Sequence, residues 1–248
     1  REKELEDLKK NNKLKTILAI AVILVLYFFR GVLPGVHQTD QTQLSGDVRY
    51  PEFYKVVGKA NISSQDKKLR KGDIKYDGYD HLNRTLAAHG YLTYNNIKRG
   101  QDARADISKI KPSGWVSNGR VSVKYANGKS YNGTFYNRSH LIAHTLGGDD
   151  KGYNLITGTR AQNVGTGDGD EGMQYPESLA KKYLTQNKKG SLYYIATPIY
   201  QGDELVPREV TVDILSDDGS INQHIIVSND MPGYRIDYVT GTYAPVGR

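Results

Sequence analysis

The sequence predicts an α+β domain with an antiparallel sheet, preceded by an amino-terminal signal-anchor helix. Three observations carry that reading. Asn127-Gly128 stands between two alternating runs, 120–125 and 129–135, the strongest short hairpin signal. Further strand-like runs follow at 192–199, 209–215 and 221–227, the last two joined by Asp217-Asp218-Gly219. Tyrosine (19) far outnumbers phenylalanine (4) and glycine is abundant (26), which favours strands and loops over a helical bundle. With 38% hydrophobic and 25% charged residues, the 248-residue chain has the composition of a globular protein, not a disordered one.

From the amino end, residues 1–16 are strongly charged and read as a cytosolic segment. Residues 17–29 form a run of 13 without a polar side chain. At 1.5 Å per residue that run covers about 20 Å, short of a hydrocarbon core of roughly 30 Å. Extending it to residue 36 reaches spanning length, taking in Arg30, which can snorkel. Lys9, Lys10, Lys13 and Lys15 precede the run, so the positive-inside rule places the amino end in the cytosol and the remainder outside. Segment 17–36 is therefore expected to be a signal anchor in a bacterial cell membrane, with secretion if it is cleaved. Residues 37–50 read as a polar linker, and 51–248 as the working domain. That exported part is itself basic, since residues 1–40 carry only +2 of the net +7.

Within the domain, residues 79–92 show helical spacing through Leu82, Leu86 and Ala87, ended by Gly90. A strand leaves the hairpin through 134–140, and 141–146 leads into a Gly-Gly-Asp-Asp turn. Residues 176–189 begin with Pro176 and Glu177, suited to the first turn of a helix.

The absence of cysteine excludes a disulfide framework, a thiolate nucleophile and a zinc–cysteine site. Chemistry must come from histidine, carboxylates, amides, hydroxyls or a metal. Of six histidines, His37 sits in the linker, and His81 and His89 sit in the helical pattern, where surface or packing roles are the rule. His140 ends a strand in the polar run Tyr136-Asn137-Arg138-Ser139-His140. Downstream, Asn154 and Asn163 bracket Arg160, and Glu177 opens a helix carrying Lys181 and Lys182. A neutral imidazole can take a proton from water. A hard cation on oxygen ligands can stabilise a departing alkoxide, and arginine and lysine hold phosphates. These residue types suit phosphodiester hydrolysis, although they occur together in many enzymes.

The stretches Ile110-Lys111-Pro112-Ser113-Gly114-Trp115, Asn137 to Ile142, Asn154 to Asn163 and Tyr175-Pro176-Glu177-Ser178 together resemble something more specific. They are similar to the DNA/RNA non-specific endonucleases of the ββα-metal class, close to streptococcal membrane-anchored or secreted DNases. The resemblance covers most of residues 75–245. It implies a ββα-metal nuclease fold and sequence-tolerant cleavage of DNA, with RNA a further substrate, assisted by Mg²⁺ or Mn²⁺. It implies His140 as general base, Arg138 as the motif arginine, Asn163 as the single protein ligand of the metal, and Glu177 as the residue ordering the metal's waters. It implies Asn154 as a support of the site, and Lys181, Lys182 and Arg160 as contacts to the nucleic acid. One departure stands out: the sequence has Asn137-Arg-Ser139-His where the motif reads Asp-Arg-Gly-His. Asn137 is accordingly read as structural, and Ser139 as evidence that this backbone needs no positive φ.

Other readings of single motifs are weaker. His140 and His144 have the i, i+4 spacing of a zinc pair, but the glutamate of that motif is missing. The run 165–172 matches neither a P-loop nor an EF-hand and reads as an acidic loop. Trp115 reads as a core anchor, and Lys188-Lys189 as a solvated helix face. Two rivals to the nuclease remain: a surface DNA-binding module that has lost catalysis, and a phosphodiesterase for another substrate.

Overall fold

In the computed structural model, residues 49–247 except Asp168 are described; the charged segment, the anchor and nearly all of the linker lie outside them. The chain first forms β1 (Tyr54–Gly58), β2 (Ile74–Tyr76) and β3 (Ala88–Thr93), then a short helix α1 (Tyr94–Arg99). Two hairpins follow. The first is β4 (Arg120–Lys124) with β5 (Ser130–Thr134), and the second is β6 (Tyr136–His140) with β7 (Leu155–Thr159). Next come α2 (Arg160–Val164), α3 (Gln174–Gln186), β8 (Ser191–Ile199), β9 (Glu209–Ser216) and β10 (Asn222–Ser228). The paired strands β11 (Tyr234–Ile236) and β12 (Tyr243–Pro245) complete the described chain.

The main sheet is antiparallel throughout, in the order β1-β10-β9-β8-β3-β2. Its register follows side-chain alternation. Tyr194 lies opposite Ile214 and Ala196 opposite Val212, all fully buried, while Tyr193 and Thr197 on either side of them are on the other face and partly exposed. A one-residue slip would exchange the two sets, which pins the pairing. On the buried face sit Ala180, Tyr183 and Leu184 of α3 and Leu141, Ile142 and Leu146 from the loop after β6. A second, aromatic cluster gathers Phe53, Val123, Tyr125, Phe135, Tyr136 and Met231. The β6–β7–α2 unit lies between the two, giving Ile156 to the first cluster and Tyr136 and Ala161 to the second.

The expected α+β class, the 120–134 hairpin, the helix near 176–189 and the three later strands are all present. The helix expected at 79–92 is not. Asp80 Oδ1 accepts the N–H groups of Leu82 and Arg84, closing a turn with Asn83 at φ 59°. From Ala88 the residues alternate buried and half-buried as β3 pairs with β8. The Asp80–Arg84 ion pair at 2.6 Å has helical i, i+4 spacing but closes a turn instead. Tertiary pairing overrides the local periodicity.

Candidate active site

Strands β6 and β7 and helix α2 bring the sequence-predicted residues toward one region. β6 delivers His140 as its last residue, opposite Leu155. The imidazole is buried, 7% exposed in its side chain. Its Nε2–H donates to Asp150 Oδ1 at 2.9 Å, and Arg104 Nη2 donates to Nδ1 at 3.2 Å. One neutral tautomer, with the proton on Nε2, satisfies both contacts. Burial drives the His140 pKa down to about 4; Arg104 pushes the same way, and the Asp150 carboxylate opposes both. The ring is therefore a neutral base at physiological pH.

Asp150, 6% exposed, is the hub of this arrangement. Its Oδ2 accepts the Ala105 N–H at 2.8 Å and faces His144 Nδ1 at 3.1 Å. Arg104 Nε approaches Oδ1 at 3.5 Å. Burial raises the carboxyl's pKa, but the Ala105 N–H and the two histidines outweigh it and hold the group below the usual carboxylate range. His144 also reaches the Asp102 carbonyl at 3.0 Å, so its ring joins Asp150 and the 102–105 backbone. The two histidines meet on Asp150, His140 on Oδ1 and His144 on Oδ2.

Asn154 sits at 0% exposure and closes the loop behind His140. Its Oδ1 accepts the Ile142 N–H at 3.0 Å, and its Nδ2 donates to the Ile142 and Asp149 carbonyls, both at 2.9 Å. It therefore sets the path of the backbone between His140 and Asp150. Arg138, on the same strand face as His140, donates to the backbone carbonyls of Ser108 and Ile110 and lies 4.2 Å over the Trp115 ring. It fastens the segment that follows Arg104 to β6. Trp115 packs against the aromatic cluster, the anchoring place expected of it.

The carboxamide of Asn163 stands in the last turn of α2, where the residue is partly exposed. Ser139 Oγ donates to its Oδ1 at 3.1 Å. Ser139 lies outside the positive-φ residues, as expected. Asn137 is partly buried opposite Gly158 in the β6–β7 pairing. Helix α3 is docked to the end of α2 by Met173 N–H donating to the Gln162 carbonyl at 2.8 Å, which places Glu177 in α3's first turns. Burial raises the Glu177 carboxyl to a pKa of about 8, and Arg104 is the opposing charge that pulls it down. Arg104 thus acts on both His140 and Glu177.

The expected nucleic-acid contacts are less concentrated. Lys181 and Lys182 are exposed on α3. Arg160 opens α2 with its guanidinium 5.3 Å over the Tyr131 ring of β5. In the acidic loop, Glu171 turns back on its own backbone and accepts from Thr166 Oγ1 at 2.7 Å. His89 lies between Asp66, at 2.6 Å, and Asp77, at 3.0 Å, a packing role.

Arg104 and Asp150 were not singled out by the sequence. In the sequence Asp150 stands only in a Gly-Gly-Asp-Asp turn, ten residues past His140, and Arg104 lies in a loop without periodicity. Their contacts span 36 and 10 residues, and no local pattern marks them.

The β6–β7 hairpin and the short helix α2 thus present one buried imidazole, His140, at the end of β6. The chain belongs to the DNA/RNA non-specific endonuclease family, whose model it matches over residues 49–242. A deoxyribonuclease of Streptococcus dysgalactiae subsp. equisimilis is 31% identical over 247 residues, covering 79% of this chain and 75% of that protein. The solved Sda1 nuclease with bound zinc ion is 35% identical, with a TM-score of 0.73 over 77% of this chain and 96% of that one. NucA from Streptococcus agalactiae with magnesium ion bound is 23% identical, with a TM-score of 0.62 over 80% and 89%. That last likeness concerns the fold alone.

Proposed function

We propose that this nuclease is a Mg²⁺-assisted, sequence-tolerant endonuclease that cuts DNA, with RNA a further substrate, at the outer face of a bacterial membrane. The observation that carries the reading is the buried, neutral His140, oriented by Asp150 with its basic Nδ1 facing Arg104.

His140 Nδ1 takes a proton from the attacking water, and Asp150 stabilises the imidazolium that results. Arg104 covers Nδ1 in the free protein, so an incoming phosphate meets its guanidinium there and draws it away. Asn154 and Arg138 keep the loops on either side of the ring in place.

The donor set fits a hard cation. Asn163 supplies a partly exposed amide oxygen, and Glu177 a carboxyl raised in pKa by burial, a group that gains from a neighbouring positive charge. Among the described residues no group of three or more histidines and carboxylates could enclose an ion, so water and substrate phosphate must complete the shell. When bound, the cation supplies positive charge for the phosphorus centre and the departing 3′ oxygen. The 35% identical Sda1 nuclease was solved with a bound zinc ion, which supports a divalent ion here.

Phosphate contacts place a duplex without reading its sequence, so cleavage is expected at many sites and to weaken as salt rises. The lysine-flanked apolar run at 17–29 supports a membrane tether. It lies outside the described residues, and none of the described helices is long and apolar enough to span a bilayer. Membrane fractionation of the full chain tests the tether, and recovery in the soluble fraction would remove it.

The activity test is plasmid nicking with Mg²⁺ by wild type and His140→Ala. Loss of a general base predicts a fall of about 10²-fold or more at retained DNA affinity. Equal nicking by both would falsify the assignment.

A further inference from the structure

The ligand assignment leaves a mechanical problem. A carboxamide rotates easily about its last torsion, which is broad and two-fold, and only its oxygen can ligate a cation. Asn163 sits near the end of a five-residue helix, where the backbone does little to hold the side chain.

The neighbouring strand supplies what the helix lacks. Ser139 is fully buried, and its hydroxyl donates to Asn163 Oδ1 at 3.1 Å. In this contact the hydroxyl, which can both donate and accept, donates to Oδ1, so the carboxamide oxygen is held on the Ser139 side. An amide oxygen has two lone pairs, so this contact leaves one for a second partner, and the residue is partly exposed. The opposing strand makes room for this contact. At Gly158 on β7, any added Cβ would lie 2.7 Å from Ser139 Cβ and 2.3 Å from Gln162 Oε1. The serine therefore has a slot shaped by Gly158, and the helix carrying Asn163 rests beside it.

We propose that Ser139 is a positioning residue for the metal site: its hydroxyl locks the Asn163 carboxamide with the oxygen facing the cation. The idea rests on Asn163 being the ligand, as read under the proposed function. Outer partners of metal ligands commonly contribute 10- to 100-fold in affinity. Ser139 touches neither substrate nor cation, so its effect must pass through Asn163.

The experiment titrates Mn²⁺ into the full chain and reads free Mn²⁺ by electron paramagnetic resonance, with no substrate present. Wild type, Ser139→Ala, Ser139→Thr, Asn163→Ala and the Ser139→Ala/Asn163→Ala double variant are compared, each checked for folding by its thermal transition. The expected result is an affinity roughly 10-fold weaker in Ser139→Ala. Ser139→Thr, which keeps the hydroxyl, stays near wild type, and in the Asn163→Ala background the serine change has no further effect. In cleavage assays, Ser139→Ala needs about 10-fold more Mg²⁺ for half-maximal rate yet keeps kcat at saturating Mg²⁺. Wild-type affinity in a folded Ser139→Ala, or an equal loss in the Asn163→Ala background, overturns the proposal while leaving Asn163 as ligand. Wild-type affinity in Asn163→Ala removes the ligand itself, and the reading on which the proposal rests fails with it.

Discussion

The β8–β9–β10 meander and the β6–β7–α2 unit are held by different physics. In the meander, buried Val210, Val212 and Ile214 alternate with outward residues, and stability comes from apolar area. In β7 all five residues are buried, and three of them, Thr157, Gly158 and Thr159, carry little apolar surface. There, specific hydrogen bonds do the holding. Thr157 Oγ1 donates to the Ser113 carbonyl, Thr159 N–H to Asn229 Oδ1, and Thr159 Oγ1 to the Asp230 carbonyl. A sheet can be specified by a pattern; the site needs each polar group matched to one partner.

The largest expected effect breaks the second region. Asn154→Ala leaves the Ile142 N–H and the Ile142 and Asp149 carbonyls without their partner inside the protein. At roughly 1–3 kcal/mol for a buried unpaired group, a loss of about 3 kcal/mol or more in urea unfolding is expected, together with loss of nicking. Val212→Ala in the meander costs a comparable ~2–3 kcal/mol through its cavity, yet the folded fraction should cut normally. Retained activity in Asn154→Ala would show that the loop holds its path without the amide.

A smaller effect sharpens the electrostatic side of the comparison. Burial raises Glu177 to about 8 in the native state, against an unfolded carboxyl near 4.3. Between those values the native state holds the extra proton, so raising the pH favours unfolding. Metal-free protein should therefore lose stability from pH 6.5 to 8, by at most about 1.4 kcal/mol per pH unit for one proton. Glu177→Gln should remove that slope; identical slopes in the two proteins would clear Glu177 of any part in it. His140 opposes this at the lower edge: its unfolded imidazole, near 6.5, still binds protons that the native ring, near 4, does not, adding only about 0.4 kcal/mol of stability across the window and equally in both proteins.

The smallest effect lies at the surface. Lys181→Ala should reduce the salt dependence of DNA binding by close to one phosphate contact, about 0.9 in the logarithmic slope. An unchanged slope would make Lys181 a solvated helix residue.

The same contrast governs what the sequence could reveal. The Asn-Gly hairpin, the later strands and the helix around Pro176 and Glu177 were legible because turn chemistry and periodicity are local. Strand β7 was not, since uniform burial erases alternation. The 79–92 segment misled because Leu82, Leu86 and Ala87 imitate a helix while Asp80 caps a turn. His140, Asn163 and Glu177 emerged from residue chemistry joined to a family resemblance. Asp150 and Arg104 became visible only when distant loops met at the imidazole.

The aromatic cluster ties the working strand to the last part of the chain. Phe135 stacks on Tyr243 at 3.7 Å, and Tyr136, which begins the strand ending in His140, donates its hydroxyl to the Gly241 carbonyl. Gly241 itself, at φ 79°, lies so close to Gly114 that no side chain fits. Residues more than a hundred positions apart therefore clasp the start of the strand that ends in His140.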